Sequence, residues 1–312
     1  MIIYRKSKSN NYLVSVAIGK KYFNEWKRYS FYGWDEYCKK NDIGLIVFDK
    51  ELINKSDKDW KKPNWQKLLI SPELKKLKLK IKNVCFLDTD ILINHISAPN
   101  IFKNYDPKTF GIVSQVKNLD LPLDLTLRSI AFNRNYHYSK EYPLDSALFM
   151  TPQQIFKFHN FKEFNDYACT GVFIFNLKNH GDLLLSWYYK YASDYKSITT
   201  GEEPILNYEI FKYNKITWLE YKFQALWLYE MAWKYPFLYD EKNSNDKEIL
   251  KCIEASLTMN YFLHFPGAWN EGAMWKNNKI FKSKDVVSKV KIFSNYLSKK
   301  VYGKPKGIIK PK

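Results

Sequence analysis

The chain has 312 residues, of which 46% are hydrophobic and 18% are aromatic. This composition excludes a disordered chain and predicts one large domain or two interdependent halves around a full core. The N-terminus turns polar at Arg5, which is not typical of a signal peptide. No stretch approaches the roughly 20 apolar residues of a membrane span, so we expect a cytoplasmic protein.

The net charge of +18 raises the question of a nucleic-acid partner. Only four of the 50 basic residues are arginine, whereas recognition of bases and phosphates favours the bidentate guanidinium group. Nucleic acid is therefore not the favoured partner. The charge suits an anionic diphosphate or an anionic membrane surface equally well.

The four cysteines lack C-x-x-C spacing, and most lie in apolar or aromatic surroundings. We interpret them as small core residues rather than zinc ligands or disulfide partners. They are Cys38, Cys85, Cys169 and Cys252.

Strands and helices alternate along the first third of the chain. This order predicts a parallel sheet with crossover helices, and ligands of such sheets bind beyond the carboxyl ends of the strands. The predicted strands are residues 13–18, 44–48 and 84–87, and the predicted helices are residues 24–41 and 65–77.

The pattern is less regular after residue 110. Residues 110–152 predict an irregular, aromatic-rich loop or short helices, which form either a lid or acceptor groove or a surface loop. A strand at 169–176 and helices at 181–193 and from Glu202 onward follow. Residues 281–302 predict an amphipathic, lysine-rich helix with a basic tail. That tail is either a solvated, frayed end or a contact with an anionic membrane.

Asp88-Thr89-Asp90 is the most informative motif, because it lies within an apolar run from Val84 to Ile93. Buried carboxylates require a cation or strong donors. If the backbone is extended there, Asp88 and Asp90 point to the same face. Mg²⁺ and Mn²⁺ prefer oxygen ligands and share them with phosphates, which suggests a metal site for a nucleoside diphosphate. The alternative is an ordinary acidic turn.

Four other residues are candidates for the same site. Lys67 lies at a helix start after Trp65, where it could face a phosphate, although most lysines are only solvated. Glu202 and Glu203 precede a helix, where an acid also complements the helix dipole. His264 stands before Pro266-Gly267 and is either a metal ligand or an ordinary core histidine.

Taken in order, these motifs resemble those of GT-A-fold glycosyltransferases, in particular the glycogenin and lipopolysaccharide galactosyltransferase group and related galactosyltransferase-like enzymes. The resemblance runs from about Leu13 to Gly267. The motifs that carry it are Trp65-x-Lys67, Asp88-Thr89-Asp90, Thr170-Gly171, Glu202-Glu203-Pro204 and His264-x-x-Gly267.

The resemblance implies an α/β fold with a Rossmann-like, mostly parallel sheet flanked by helices. It also implies a catalytic domain at 1–275, with a donor-binding half at about 1–115 and an acceptor-side half at about 116–275. Residues 276–312 would be a basic C-terminal helix and tail.

The resemblance also implies roles for residues. Asp88, Asp90 and His264 would bind Mn²⁺ or Mg²⁺. The residues expected to contact a UDP- or GDP-sugar donor are Lys67, Asp88, Thr89, Asp90, Gly171 and Gly267. Glu203 or Glu202 would stabilise positive charge on the transferred sugar, which would pass to a glycan or lipid-linked acceptor.

The sequence departs from the family pattern at three positions. Cys169 replaces the usual Asn or Ser before Thr-Gly, and Glu203 replaces the usual amide. Asn270 stands where the family has a lysine, and Lys276 is the nearest later candidate. Two other functions stay open: a metal-dependent nuclease or nucleotidyltransferase, and a non-catalytic nucleotide-sugar-binding module.

Overall fold

The fold is described by a computed structural model, which covers residues 1–138, 147–199, 201–240, 244–267 and 270–286. The first half contains β1 (Ile2–Arg5), β2 (Asn11–Val16), α1 (Lys20–Tyr29), α2 (Phe31–Lys40), β3 (Gly44–Phe48), α3 (Ile70–Lys75), β4 (Asn83–Leu87), β5 (Ile91–Ile93) and β6 (Phe110–Ser114). The second half contains α4 (Leu123–His137), α5 (Pro152–Phe158), β7 (Ala168–Asn176), α6 (Leu177–Lys190), α7 (Glu203–Tyr213), β8 (Ile216–Trp218), β9 (Ala225–Leu226), α8 (Trp227–Lys234), α9 (Asp246–Met259), β10 (Phe262–His264) and α10 (Asn270–Asn277).

In the described residues, a seven-stranded sheet has the order β1-β3-β2-β4-β7-β6-β8. The predicted parallel arrangement of β3, β2 and β4 is confirmed. Antiparallel strands flank this parallel centre: β1 runs antiparallel to β3, and β7 runs antiparallel to both β4 and β6. The predicted α/β fold class, with helices flanking a central sheet, is therefore confirmed.

The sheet is buried on both faces, which explains the continuous apolar runs of its central strands. Alternate residues of β4 point to opposite sides. Val84 and Phe86 belong to the core on one face, whereas Cys85 and Leu87 belong to the core on the other. All four cysteines are buried and free, as predicted.

A smaller sheet of the described residues has three strands in the order β5-β10-β9. Strand β5 is antiparallel to β10, with Ile91 opposite His264. Strands β4 and β5 belong to different sheets and are separated only by residues 88–90. The acidic motif thus lies at the junction of the two sheets.

The predicted helix at residues 24–41 is wrong in one respect, because it is divided at Ser30 into α1 and α2. The division lets α2 approach β5 closely: a Cβ at Gly33 would lie 2.7 Å from the carbonyl oxygen of Ile93. The predicted helix at 65–77 begins instead as a 3₁₀ helix at Pro63–Leu69 and continues as α3.

The prediction of an irregular loop or short helices at 110–152 missed a strand and underestimated the length of a helix. Strand β6 is fully buried within the main sheet, and α4 spans 15 residues. The aromatic and polar composition of α4 obscured its helical periodicity. Residues 139–146 lie outside the described part.

The predicted C-terminal helix lies outside the described residues from position 287 onward, as does the basic tail. Both stay predictions. None of the helices in the described ranges has the length and apolar character needed to cross a bilayer.

Candidate active site at the junction of the two sheets

Asp88, Thr89 and Asp90 form a turn rather than an extended strand. The expectation that an extended backbone points both acids to the same face is therefore wrong. The backbone N–H of Asp88 donates to the carbonyl oxygen of Gly171 at 2.8 Å, next to the β4–β7 pairing. The N–H of Phe265 donates to the carbonyl oxygen of Asp90 at 3.0 Å, next to the β5–β10 pairing. Each acid is therefore fixed to a different sheet.

Buried side chains bind the carbonyl groups along this turn. The hydroxyl of Ser15 donates to Leu87 O at 2.6 Å, and the hydroxyl of Ser30 donates to Thr89 O at 2.9 Å. The indole of Trp34 donates to Ile91 O at 2.8 Å. A buried carbonyl group without a hydrogen-bond partner is costly, so these bonds stabilise the turn where the strand pairing is interrupted. Ser30, at the boundary between α1 and α2, supplies one of them.

Asp88, Asp90 and His264 form a cluster, as the sequence predicted. One ligand atom from each side chain lies within 4.8 Å of the others. His264 Nε2 is 3.2 Å from Asp90 Oδ1. His264 is buried on β10, whereas the carboxylate side chains retain 35% and 24% exposure for Asp88 and Asp90. The acids therefore face an opening and the imidazole closes the inner side.

The inner nitrogen of His264 has two neighbours that the sequence analysis did not assign to it. Nδ1 lies 3.3 Å from the amide nitrogen of Gln224 and 3.6 Å from the sulfur of Cys169. The other amide atom, Gln224 Oε1, is buried and lacks a hydrogen-bond partner. Rotating the amide by half a turn exchanges Oε1 and Nε2, and Oε1 would then accept a hydrogen bond from the N–H at Nδ1.

Position 171 has no space for a side chain and therefore requires glycine. A Cβ there would lie 2.4 Å from His264 Cε1 and 3.0 Å from Asp88 Oδ2. Any larger residue would displace the imidazole. The glycine thus allows β7 to approach the cluster closely, which gives a physical reason for the Thr-Gly motif.

Lys67 is buried at the edge of the same cluster. Its ammonium lies 3.2 Å from Asp88 Oδ1, 2.8 Å from Glu202 Oε1 and 3.2 Å from the carbonyl oxygen of Thr170. These three acceptors match its three hydrogens. Glu202 also accepts from the hydroxyl of Thr170 at 2.9 Å. Lys67 therefore joins Glu202 to the Asp88 side of the cluster.

The charges of the cluster depend on one another. Burial raises the pKa of Asp88, against the lowering effect of Lys67. Burial would likewise raise the pKa of Asp90, but His264 outweighs it and the pKa is lowered. For His264, burial would lower the pKa, but the Cys169 sulfur and the Asp90 carboxylate raise it well above its usual value. Asp90 thus favours the protonated form of the imidazole.

The two adjacent glutamates occupy different environments. Glu202 is buried against Lys67, whereas Glu203 is half-buried and lines a cavity of about 470 Å³. Burial and the charge of Glu202 raise the pKa of Glu203 to about 7, although Lys67 lowers it somewhat. Glu203 is therefore the acid that is accessible to a substrate.

Three other predicted positions lie around the cluster. Thr89 is half-buried, and its carbonyl oxygen is bound by Ser30. Gly267 has a φ of 90°, which favours glycine, and it lines the same cavity as Glu203. Lys276 pairs with Glu25 at 3.3 Å, and its charge contributes to the lowered pKa of Asp90. The side chain of Asn270 lies outside the described part.

The donor set fits a small divalent cation. A metal at about 2.0–2.1 Å from two ligands separates those ligand atoms by roughly 3 to 4.2 Å, so a small inward movement would complete the site. Two carboxylates and an imidazole suit Mn²⁺. A bound imidazole must keep its hydrogen on the other nitrogen, and the unpartnered Gln224 Oε1 can accept it.

No family model matches this chain, and no curated protein matches it. Among solved structures, it is similar to a glycosyltransferase involved in glycosylation of the major capsid of PBCV-1, at 9% identity and a TM-score of 0.47. That alignment covers 90% of this chain and 98% of the other. It is also similar to the bifunctional glycosyltransferase WbbM in its apo form, at 11% identity and a TM-score of 0.44, over 94% of this chain and 53% of that one. At these identities and TM-scores, the likeness does not identify an activity.

Replacing Lys67 by Met tests whether Lys67 holds the acids in place. We expect a loss of about 3 kcal/mol in the free energy of unfolding at pH 8, because Glu202 is left as an unpaired buried charge and the partly exposed Asp88 loses its neighbouring cation. Without Lys67 the pKa of Asp88 rises further, so the folded variant binds a proton more readily and the loss shrinks at pH 5. Urea denaturation at both pH values measures this. Lys75→Met is the control, since Lys75 forms an exposed pair with Asp182. Equal losses in the two variants would contradict the assignment.

Proposed function

We propose that this chain is a metal-dependent glycosyltransferase, which moves a sugar from a nucleotide-diphosphate sugar to a hydroxyl of a glycan or lipid-linked acceptor. The observation that supports this most is the cluster of Asp88, Asp90 and His264. Their ligand atoms converge although His264 is far away in sequence. The order of the motifs, which resembles that of GT-A-fold glycosyltransferases, supports the same proposal.

Cleavage of a sugar–diphosphate bond leaves negative charge on the departing diphosphate. Mn²⁺ or Mg²⁺ held by Asp88, Asp90 and His264 would supply a Lewis acid for that charge. The two partly exposed carboxylates leave room for phosphate oxygens on the open side of the cluster. Thr89 lies between them, where its exposed part can contact the donor.

Lys67 has a positioning role in this proposal. Its ammonium is already surrounded by Asp88, Glu202 and Thr170 O, so it orients Asp88 and balances its charge. Its direct contact with a phosphate stays a prediction. Gly171 contributes by its lack of a side chain, which keeps space for His264.

Glu203 is the best candidate to stabilise positive charge on the sugar. It is the more exposed of the two adjacent acids, and it lines a cavity that also reaches Cys169 and Gly267. Cys169 in turn contacts His264. Glu203 and His264 thus both adjoin Cys169, which is why we assign Glu203 to a donor bound at the cluster. Its charge would matter most in the transition state.

The alternatives are less well supported. A nuclease or nucleotidyltransferase would use further clustered carboxylates, whereas in the described residues the one group whose ligand atoms could hold a metal is Asp88, Asp90 and His264. A non-catalytic binding module would need neither Glu203 nor the burial of Lys67 with two acids.

Asp90→Ala tests the metal site. The wild type should bind UDP or GDP more tightly with Mn²⁺ than without it, and the variant should lose this dependence. Loss of a direct ligand should exceed the roughly 10- to 100-fold effect of losing an outer-shell partner. Isothermal titration with and without Mn²⁺ measures both proteins. The matched control is Asp182→Ala, which removes an acid that is 80% exposed. Metal-dependent binding that survives in Asp90→Ala would exclude the site.

Glu203→Gln tests the assignment of the second acid. Once a donor and an acceptor are identified, kcat should fall by about 100-fold, because one charge-stabilising group is lost. Donor affinity should change far less. If the carboxylate is the active form, wild-type kcat should rise as the pH passes about 7, and the variant should lose this rise.

Steady-state kinetics over pH 5.5–8.5, with donor affinity measured separately, gives the comparison. Glu163→Gln is the control, since Glu163 is exposed on the surface. Equal losses of donor affinity and of kcat/KM, with kcat unchanged, would show that Glu203 only binds the sugar.

A further inference from the structure

The cavity next to Glu203 is mainly apolar, which is unusual beside a cluster of charges. Its volume of about 470 Å³ is in the range of small-molecule sites, roughly 300–1,000 Å³. Helix α4, the segment 147–155 and the strand–helix unit β9–α8 contribute its walls. Apolar residues on these walls include Leu123, Leu127, Phe149, Ile155, Leu226 and Leu228.

The cavity adjoins the proposed metal cluster through Cys169. Glu203, Cys169 and Gly267 all line it, and the Cys169 sulfur lies 3.6 Å from His264 Nδ1. Arg134 also reaches the wall, but its Nε donates to buried Glu271 at 2.6 Å. Its charge is therefore balanced within the protein. Most of the wall that a molecule in this cavity meets is apolar, and the Glu203 carboxyl group lies where the cavity borders Cys169. The other polar residues of the lining are Gln115, Thr151, Tyr167, Thr199 and Tyr229.

A sugar does not suit these walls. Each hydroxyl that is buried without a hydrogen-bond partner costs about 1–3 kcal/mol. A hydrocarbon group gains free energy in the same place, in proportion to the area it buries. The cavity therefore selects the non-sugar part of an acceptor, while an acceptor hydroxyl can reach Glu203.

The exposed face of helix α4 indicates that the apolar group in the cavity belongs to a lipid. Leu123 and Leu127 line the cavity, whereas Leu125, Phe132 and Tyr136 are 51%, 66% and 74% exposed. Positions 125, 132 and 136 share one helix face. The rings of Phe132 and Tyr136 stack there with their centroids 5.8 Å apart. An exposed aromatic face on a chain of net charge +18 suits an anionic lipid surface.

We infer that the cavity binds the hydrocarbon segment nearest the acceptor sugar of a lipid-linked acceptor. This inference rests on the proposed function, because it takes the group near Glu203 to be the acceptor hydroxyl. It makes the lipid chain a determinant of acceptor specificity. A glycan without such a chain would leave the apolar walls unfilled.

Binding of simple glycosides to the full-length protein tests the inference without knowledge of the natural acceptor. The probes are methyl, phenyl and n-octyl β-glucoside, the last below its critical micelle concentration, in isothermal titrations. We expect octyl glucoside to bind most tightly and methyl glucoside most weakly. Leu127→Gln should weaken octyl binding by about tenfold, because it places an amide against the alkyl chain.

Met259→Gln is the control: it introduces the same side chain at an exposed position outside the cavity and outside this face of α4. It should leave octyl affinity unchanged. If Leu127→Gln lowers the melting temperature, Leu123→Gln on the same wall replaces it. Tightest binding by phenyl glucoside, or equal octyl affinity in the Leu127 and Met259 variants, would overturn the inference.

Binding of UDP with Mn²⁺ separates this result from the proposed function. It should be the same in the wild type and in Leu127→Gln. Normal UDP–Mn²⁺ binding without any octyl binding would overturn only the lipid inference. Octyl binding without any UDP–Mn²⁺ binding would overturn the proposed function.

Discussion

The site depends on the turn by which the chain leaves one sheet and joins the other. Asp88 is bonded through its N–H to Gly171, next to the main sheet, and Asp90 through its carbonyl to Phe265, next to the small one. These bonds fix the two acids relative to β7 and β10, and so to Gly171 and His264. A shift of either sheet would separate the acids from the imidazole. The two sheets and the cluster are therefore a single structural unit.

Burying this many charges is unfavourable unless each has a partner. Lys67 lies between Asp88 and Glu202, and His264 lies beside Asp90. The raised pKa of His264 favours the protonated imidazole, whose charge balances that of Asp90. A metal ion that binds the three residues requires the neutral imidazole, so it would compete with this proton. The same contacts thus stabilise the fold and prepare the proposed metal site.

Much of the fold and most of the candidate site could be predicted from the sequence. Apolar runs located the central strands, and two acids inside such a run marked Asp88 and Asp90. The turn at 88–90 could not be predicted, because it depends on pairing with β7 and β10, which are remote in sequence. Gln224 was missed for the same reason: a glutamine in a short 3₁₀ helix has no local signal. The division at Ser30 reflects tertiary bonds to Thr89 O and the close approach of Gly33 to β5. The length of helix α4 was underestimated, because its aromatic and polar composition obscures the helical periodicity.

The central claim is that Asp88, Asp90 and His264 hold one divalent cation together. A crystal structure of the full chain with Mn²⁺ and UDP, with data collected at the manganese absorption edge, tests this most directly. The account predicts one strong anomalous peak at about 2.0–2.2 Å from both carboxylates and from His264 Nε2, with diphosphate oxygens completing the shell. A peak elsewhere, or UDP bound without manganese at this cluster, would contradict it.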